Sequence, residues 1–98
     1  MSEIRVKPDE LESQGRDLNG FAQDLKEILS NIDSKINEII EGWDGMAQDG
    51  YYNMYSTMKE SLDQFPELVD SLGNATISAA QAFANVDEQL QSSFNSAM

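Results

Sequence analysis

The sequence predicts an all-α fold, an antiparallel helix-turn-helix hairpin, and three observations predict it. Apolar residues recur at alternating steps of four and three along two long stretches, the spacing of helices that pack along their length. Between them, near the middle of the 98 residues, stands a glycine-bounded break, Gly42-Trp43-Asp44-Gly45. The two stretches are nearly equal, about forty residues or roughly 50–60 Å each, so either can lie against the other.

Residues 1–8 form a short arm in which Ile4 and Val6 alternate with charge. Pro8 suits the first helical position, and Asp9, Glu10 and Glu12 complement the helix dipole, so helix 1 is placed at about 8–41. Its seam reads Leu11, Gly15, Leu18, Ala22, Leu25, Leu29, Ile32, Ile36, Ile39 and Trp43, with Phe21, Ile28 and Ile40 widening the stripe. A stripe that wide asks for a second neighbour besides the hairpin's other arm. At the bend, 42–45, glycine supplies the positive φ that ends a helix, Asp44 is placed to cap the next one, and Trp43 to plug the open end of the seam.

Helix 2 is placed at about 46–90. It carries a second seam through Ala47, Tyr51, Tyr55, Met58, Leu62, Phe65, Val69, Leu72, Thr76, Ala79, Phe83, Val86 and Leu90, with Met46, Tyr52 and Met54 beside its start. The heptad register runs through Pro66, which predicts a kink there, and Gly73-Asn74 reads as a second weak point. The tail, 91–98, is too poor in apolar residues to dock and reads as disordered; residues 1–98 make one helical-hairpin domain.

Composition excludes several classes of function. A net charge of −12, shared by both halves, opposes binding to nucleic acid and disfavours anionic membranes. Without cysteine or histidine the chain offers no disulfide, thiolate or imidazole site, and no cofactor or metal is expected. Glu38, Glu41, Asp44 and Asp49 gather near the bend, but with no nucleophile or base beside them and no calcium-loop spacing they read as helix-end charge, so no catalytic residue is assigned. No apolar run approaches the length of a membrane span, and the N-terminus lacks a basic-then-apolar leader, which predicts a protein made in the cytoplasm without a Sec signal peptide.

A single hairpin buries one seam per arm and leaves the flanks wet. Ordering costs on the order of 1.5 kcal/mol per residue, which one seam hardly offsets. The pattern therefore predicts a partner hairpin and a four-helix bundle, with Phe21, Leu25, Ile28, Leu29, Ile32, Ile36, Ile39, Tyr55, Met58, Leu62, Phe65, Val69 and Leu72 as its dimer and core residues. Met46, Met54 and Met58 read mainly as core filler.

The Trp43-Asp44-Gly45 turn between two long helices, in a cysteine-free chain of this length, resembles the WXG family of early-secreted-antigen-like (Esx) substrates of type VII secretion. The opening Ile4-Arg5-Val6-Lys7-Pro8-Asp9-Glu10-Leu11 resembles the family's start. The resemblance implies a non-enzymatic secreted protein, a homodimer or a heterodimer with a related chain, exported folded by a membrane ATPase, with a virulence-associated role as one outcome. It further implies a secretion signal of the form Tyr-Xaa-Xaa-Xaa-Asp/Glu, which Phe83-Ala84-Asn85-Val86-Asp87 matches with phenylalanine in place of tyrosine, and a recognition surface at Trp43, Asp44 and Gly45. Ring and carboxylate four apart share one helix face. Two other readings of the residues stay open at this point: a membrane-active, pore-forming effector whose Leu25, Leu29, Ile32, Ile36 and Ile39 stripe enters lipid, and an intracellular helical adaptor.

Overall fold

The computed structural model describes the backbone of residues 6–97 and the side chains of 6–86 and 88. It is an elongated hairpin, 81 Å long and 24 by 17 Å across, built from α1 (Pro8–Glu41), α2 (Gly45–Leu62) and α3 (Phe65–Ala97). Helix α1 begins where Pro8 dictates, with Lys7 at the N-cap making no side-chain bond and its carbonyl accepting the Leu11 N–H at 3.0 Å. The opening residues Ile4 and Arg5 lie outside the described residues.

Helices α1 and α3 run antiparallel with their backbones close, and small residues make that approach possible. Gly15, Ala22, Gly73 and Ala80 are buried. A Cβ built on Gly15 would stand 2.8 Å from Ile77 Cγ1 and 2.9 Å from the Gly73 carbonyl; one on Gly73 would meet the Gly15 carbonyl at 2.7 Å and the Asn19 side chain. Both are collisions, so neither position tolerates a side chain at this helix separation. Beside the crossing, the Asn19 carboxamide, turned so that both its polar ends are satisfied, donates to the Asp70 carbonyl at 3.1 Å and to Asp70 Oδ1 at 3.0 Å. In this register Pro8 lies near the level of Ala84, and about 13 residues of α3, roughly 20 Å, extend past the start of α1.

The second arm is two helices, not one kinked helix. Pro66 has no N–H for the Leu62 carbonyl and its ring crowds that carbonyl, so α2 stops at Leu62. Asp63 and Gln64 donate back to the Lys59 and Ser61 carbonyls at 2.8 and 3.2 Å, and α3 restarts with Gln64 accepting from Leu68 at 3.0 Å. Asn74 falls inside α3 without interrupting it, and the helix runs on through Ala97, beyond the residue-90 limit read from the sequence. Nothing after Gly73 breaks it: the segment holds no further glycine or proline.

The packing separates the predicted seam into two faces. Tyr55 is buried and Leu25, Leu29, Ile36, Leu62 and Val69 are half-buried, whereas Phe21, Ile28, Ile32, Ile39, Met58, Phe65 and Leu72 are exposed. Ile40, read as a flank awaiting a neighbour, is buried within the chain. The small residues take the inner face of α1 and α3, which turns the larger apolar ones outward.

Candidate interaction site

The bend is built by four residues with different tasks. Gly42 ends α1 at φ −88°, and the Trp43 N–H donates to the Ile40 carbonyl at 3.0 Å. Asp44 occupies the N-cap of α2 in extended conformation, φ −111° and ψ 143°, but its side chain makes no capping bond. Of the two glycines that bound the bend, the positive φ falls on Gly45, at +58°, where α2 begins, and not on Gly42, where α1 ends. The side chain that ties the helices together here is Gln48, whose Nε2 donates to the Ile40 carbonyl at 2.9 Å.

These conformations make a testable contrast. Gly45→Ala meets no atom within 4 Å but forces an L-residue into the left-handed region, which should cost about 1–2 kcal/mol. Gly42→Ala meets nothing either and has an ordinary φ, so it should be neutral to slightly stabilising. Thermal unfolding of the two variants reads the difference directly.

Trp43 does not plug the seam. It is 40 % exposed and packs edge-on against Tyr51, with ring centroids 4.9 Å apart and planes at 68°. Met46 beside it is 91 % exposed. The result is an aromatic and thioether surface at one tip of the molecule, with Gly45 fixing the direction in which α2 leaves it.

Along the shaft lie two apolar stripes that the chain leaves uncovered. On α1 they are Phe21, Ile28, Ile32 and Ile39; on α3, Phe65, Leu68, Leu72, Phe83 and Val86. Phe65, Leu72, Ala79 and Val86 recur every seventh residue, the period of a face that meets another helix lengthwise. Phe83 is exposed near the level where α1 begins. The backbone of Asp87 lies one helical turn further along α3, and its side chain lies outside the described residues.

A polar cluster joins α2 to α1. The Tyr55 hydroxyl donates to Asp33 Oδ1 at 2.9 Å, and Lys59 Nζ stands 3.9 Å from the same oxygen and 3.3 Å from Asp63 Oδ2. With Lys26, Leu29, Ser30, Pro66 and Glu67, Asp33, Lys59 and Asp63 line a cleft of about 370 Å³ at the α2–α3 break. Burial first, then the Asp33 hydrogen bond and the charges of Asp33 and Asp63, push the Tyr55 phenol up from 10 to about 12. A raised phenol favours the folded state while both states are protonated; that contribution is complete below about pH 10 and is lost as pH climbs from 10 towards 12. At about pH 11 the native protein and its Tyr55→Phe variant should therefore show nearly equal tyrosinate absorbance, and in denaturant at the same pH the native sequence should show one tyrosinate more.

No three carboxylates among the described residues converge to hold a metal ion, and no described helix is long and apolar enough to cross a membrane. Glu38 pairs with Lys35 at 3.0 Å. Sequence reasoning missed Gln48 and the Tyr55–Asp33 pair. Gln48 reaches back across the bend to Ile40 and Tyr55 across the hairpin to Asp33, and only the path of the folded chain brings these partners together.

Against known proteins, the model of the family described as proteins of 100 residues with WXG matches residues 3–88. An uncharacterized protein of Clostridium acetobutylicum is 28 % identical over 94 residues, 96 % of this chain and 98 % of that one. The type VII secretion system extracellular protein A of Staphylococcus aureus is 22 % identical over 94 residues, covering 96 % and 97 %. Among solved structures, EsxA of Geobacillus thermodenitrificans superposes with a TM-score of 0.77 at 21 % identity, covering 92 % of this chain and 98 % of that one. The secreted protein EsxB of Bacillus anthracis gives 0.73 at 22 %, covering 89 % and 99 %. The helical hairpin, the Trp43-Asp44-Gly45 bend at its tip and a family match over most of the length agree, and the chain belongs to the WXG100 family.

Proposed function

We propose that this protein is a non-enzymatic substrate of a type VII secretion system, made in the cytoplasm and exported as a folded dimeric bundle. The observation that carries the reading is the family match across residues 3–88 with Trp43 and Gly45 placed at the hairpin tip. The printed names of its relatives, a type VII secretion system extracellular protein and a secreted EsxB, support it. The uncovered heptad stripes support a partner hairpin, and a second copy of the same chain is the simplest one.

In this reading Trp43, Asp44 and Gly45 form one half of the surface that the secretion ATPase recognises. Within one chain Phe83 and Asp87 lie at the end of the hairpin away from the bend, so the other half is the Phe83 and Asp87 motif of a partner hairpin packed antiparallel beside it. Phe83 supplies the ring that the family motif asks of tyrosine, and export proceeds without its hydroxyl. Recognition rests on exposed rings, so the test is export by variants that keep the fold. Trp43→Arg and Phe83→Ala should each reduce the protein in the culture medium at least about tenfold, with helicity and solution mass unchanged. Wild-type export by both folded variants would overturn the assignment.

A further inference from the structure

We propose that α2 is a hinged arm that swings as a unit from the α1–α3 frame, with the hydrogen bond from Tyr55 to Asp33 as its latch. Both ends of α2 are breaks in helical hydrogen bonding. At one, Pro66 cannot donate to Leu62; at the other, Gly45 turns the chain at φ +58°. Each is a short segment able to absorb a change in backbone angle while the helix between them stays intact.

Packing between the helices is uneven. Backbones of α1 and α3 lie in close contact along their overlap, whereas α1 and α2 touch at few points. The buried residue of α2 is Tyr55, a large ring that props the arm away from α1 where glycine and alanine would have let it close. Of its other large apolar side chains, Met46, Tyr52, Met54 and Met58 are exposed and Tyr51 and Leu62 only half-buried, and the cleft beside Lys59 and Pro66 leaves the hinge region unfilled. Segments with little buried apolar contact open at lower free energy than the frame that carries them.

What holds the arm is polar. Besides the Tyr55–Asp33 bond there are Gln48 on the Ile40 carbonyl and the partly exposed Lys59 between Asp33 and Asp63. Water replaces such bonds at little cost once the arm lifts. Tyr51 is on the same helix, so the arm carries the stacking partner of Trp43 with it. The tip is thereby offered in two arrangements, stacked when the arm is latched and released when it swings.

Hydrogen exchange of the full chain, read by mass spectrometry, tests this. An 18-residue helix lifted off its packing is marginal in water and unravels transiently, so amides of α2 should exchange at least about tenfold faster than those of the overlapping parts of α1 and α3. Tyr55→Phe, which keeps the ring, and Asp33→Ala, which leaves Tyr55 intact, should each speed α2 by a further factor of about 3–10 and leave α3 unchanged. Exchange of α2 at the rate of α3 would overturn the hinged arm. Unchanged α2 exchange in either variant, or equal acceleration of all three helices, would overturn the latch.

Discussion

In the proposed dimer, Leu72→Glu should convert a particle of about twice the 10.9 kDa chain mass into single chains that remain helical. Leu72 is 56 % exposed in the isolated hairpin, so the substitution removes little from the fold of one chain. Glutamate and leucine have similar helix propensity, and α3 keeps its backbone. The cost appears only where a second hairpin covers the Phe65, Leu72 and Val86 stripe. There a carboxylate is taken out of water without a partner, and in a symmetric pair this happens twice. A loss of about 4 kcal/mol or more corresponds to roughly a thousandfold weaker association. Light scattering with circular dichroism reads mass and helicity together, and Ile28→Glu on α1 should behave alike. A variant still of dimer mass would mean that this stripe is not the interface.

Gly73→Val should lower the melting temperature by roughly 12–24 °C. The facing atoms at this crossing include the Gly15 carbonyl, a backbone atom that no rotamer change can remove. The helices must separate along the crossing, which loosens the packing around buried Ala22 and Ala80 as well. Overpacking of this kind costs about 3 kcal/mol, and each kcal/mol moves the midpoint of a domain this size by about 4–8 °C. Gly20 is the control. A Cβ there meets nothing within 4 Å, so Gly20→Ala should stabilise the helix by about 1 kcal/mol. Calorimetry of both variants checks the sign at each site, and a Gly73→Val chain as stable as its parent would contradict the close crossing.

The hairpin, its bend and its start at Pro8 were legible because each rests on local chemistry: a heptad period, a glycine-bounded break, a proline at the first helical turn. The division of the stripe was harder. A period of seven identifies which residues share a face but does not say which helix covers that face. On the second arm large residues drew the seam through Met58, Phe65 and Leu72, while the inner contact uses Gly73 and Ala80 against Gly15 and Ala22, which the seam read on α1 did include. Both small pairs are also spaced by seven, so the signal was present in residues that hydrophobicity counts poorly. Pro66 marked the place of a discontinuity without deciding between kink and break, since that depends on whether neighbouring donors find carbonyls, as Asp63 and Gln64 do. At the bend both glycines were candidates for the positive φ, and only the path of α2 selects Gly45. The candidate recognition residues Trp43, Asp44, Gly45 and Phe83 follow from motif position, and their exposure and geometry from the fold.

The most direct measurement is the distribution of the protein between cells and culture medium in its native host, with and without a working type VII ATPase, alongside a cytoplasmic marker for lysis. Protein should reach the medium only when the ATPase works, with the marker retained in the cells. Equal amounts in the medium of both strains, or retention in both, would contradict export by that system.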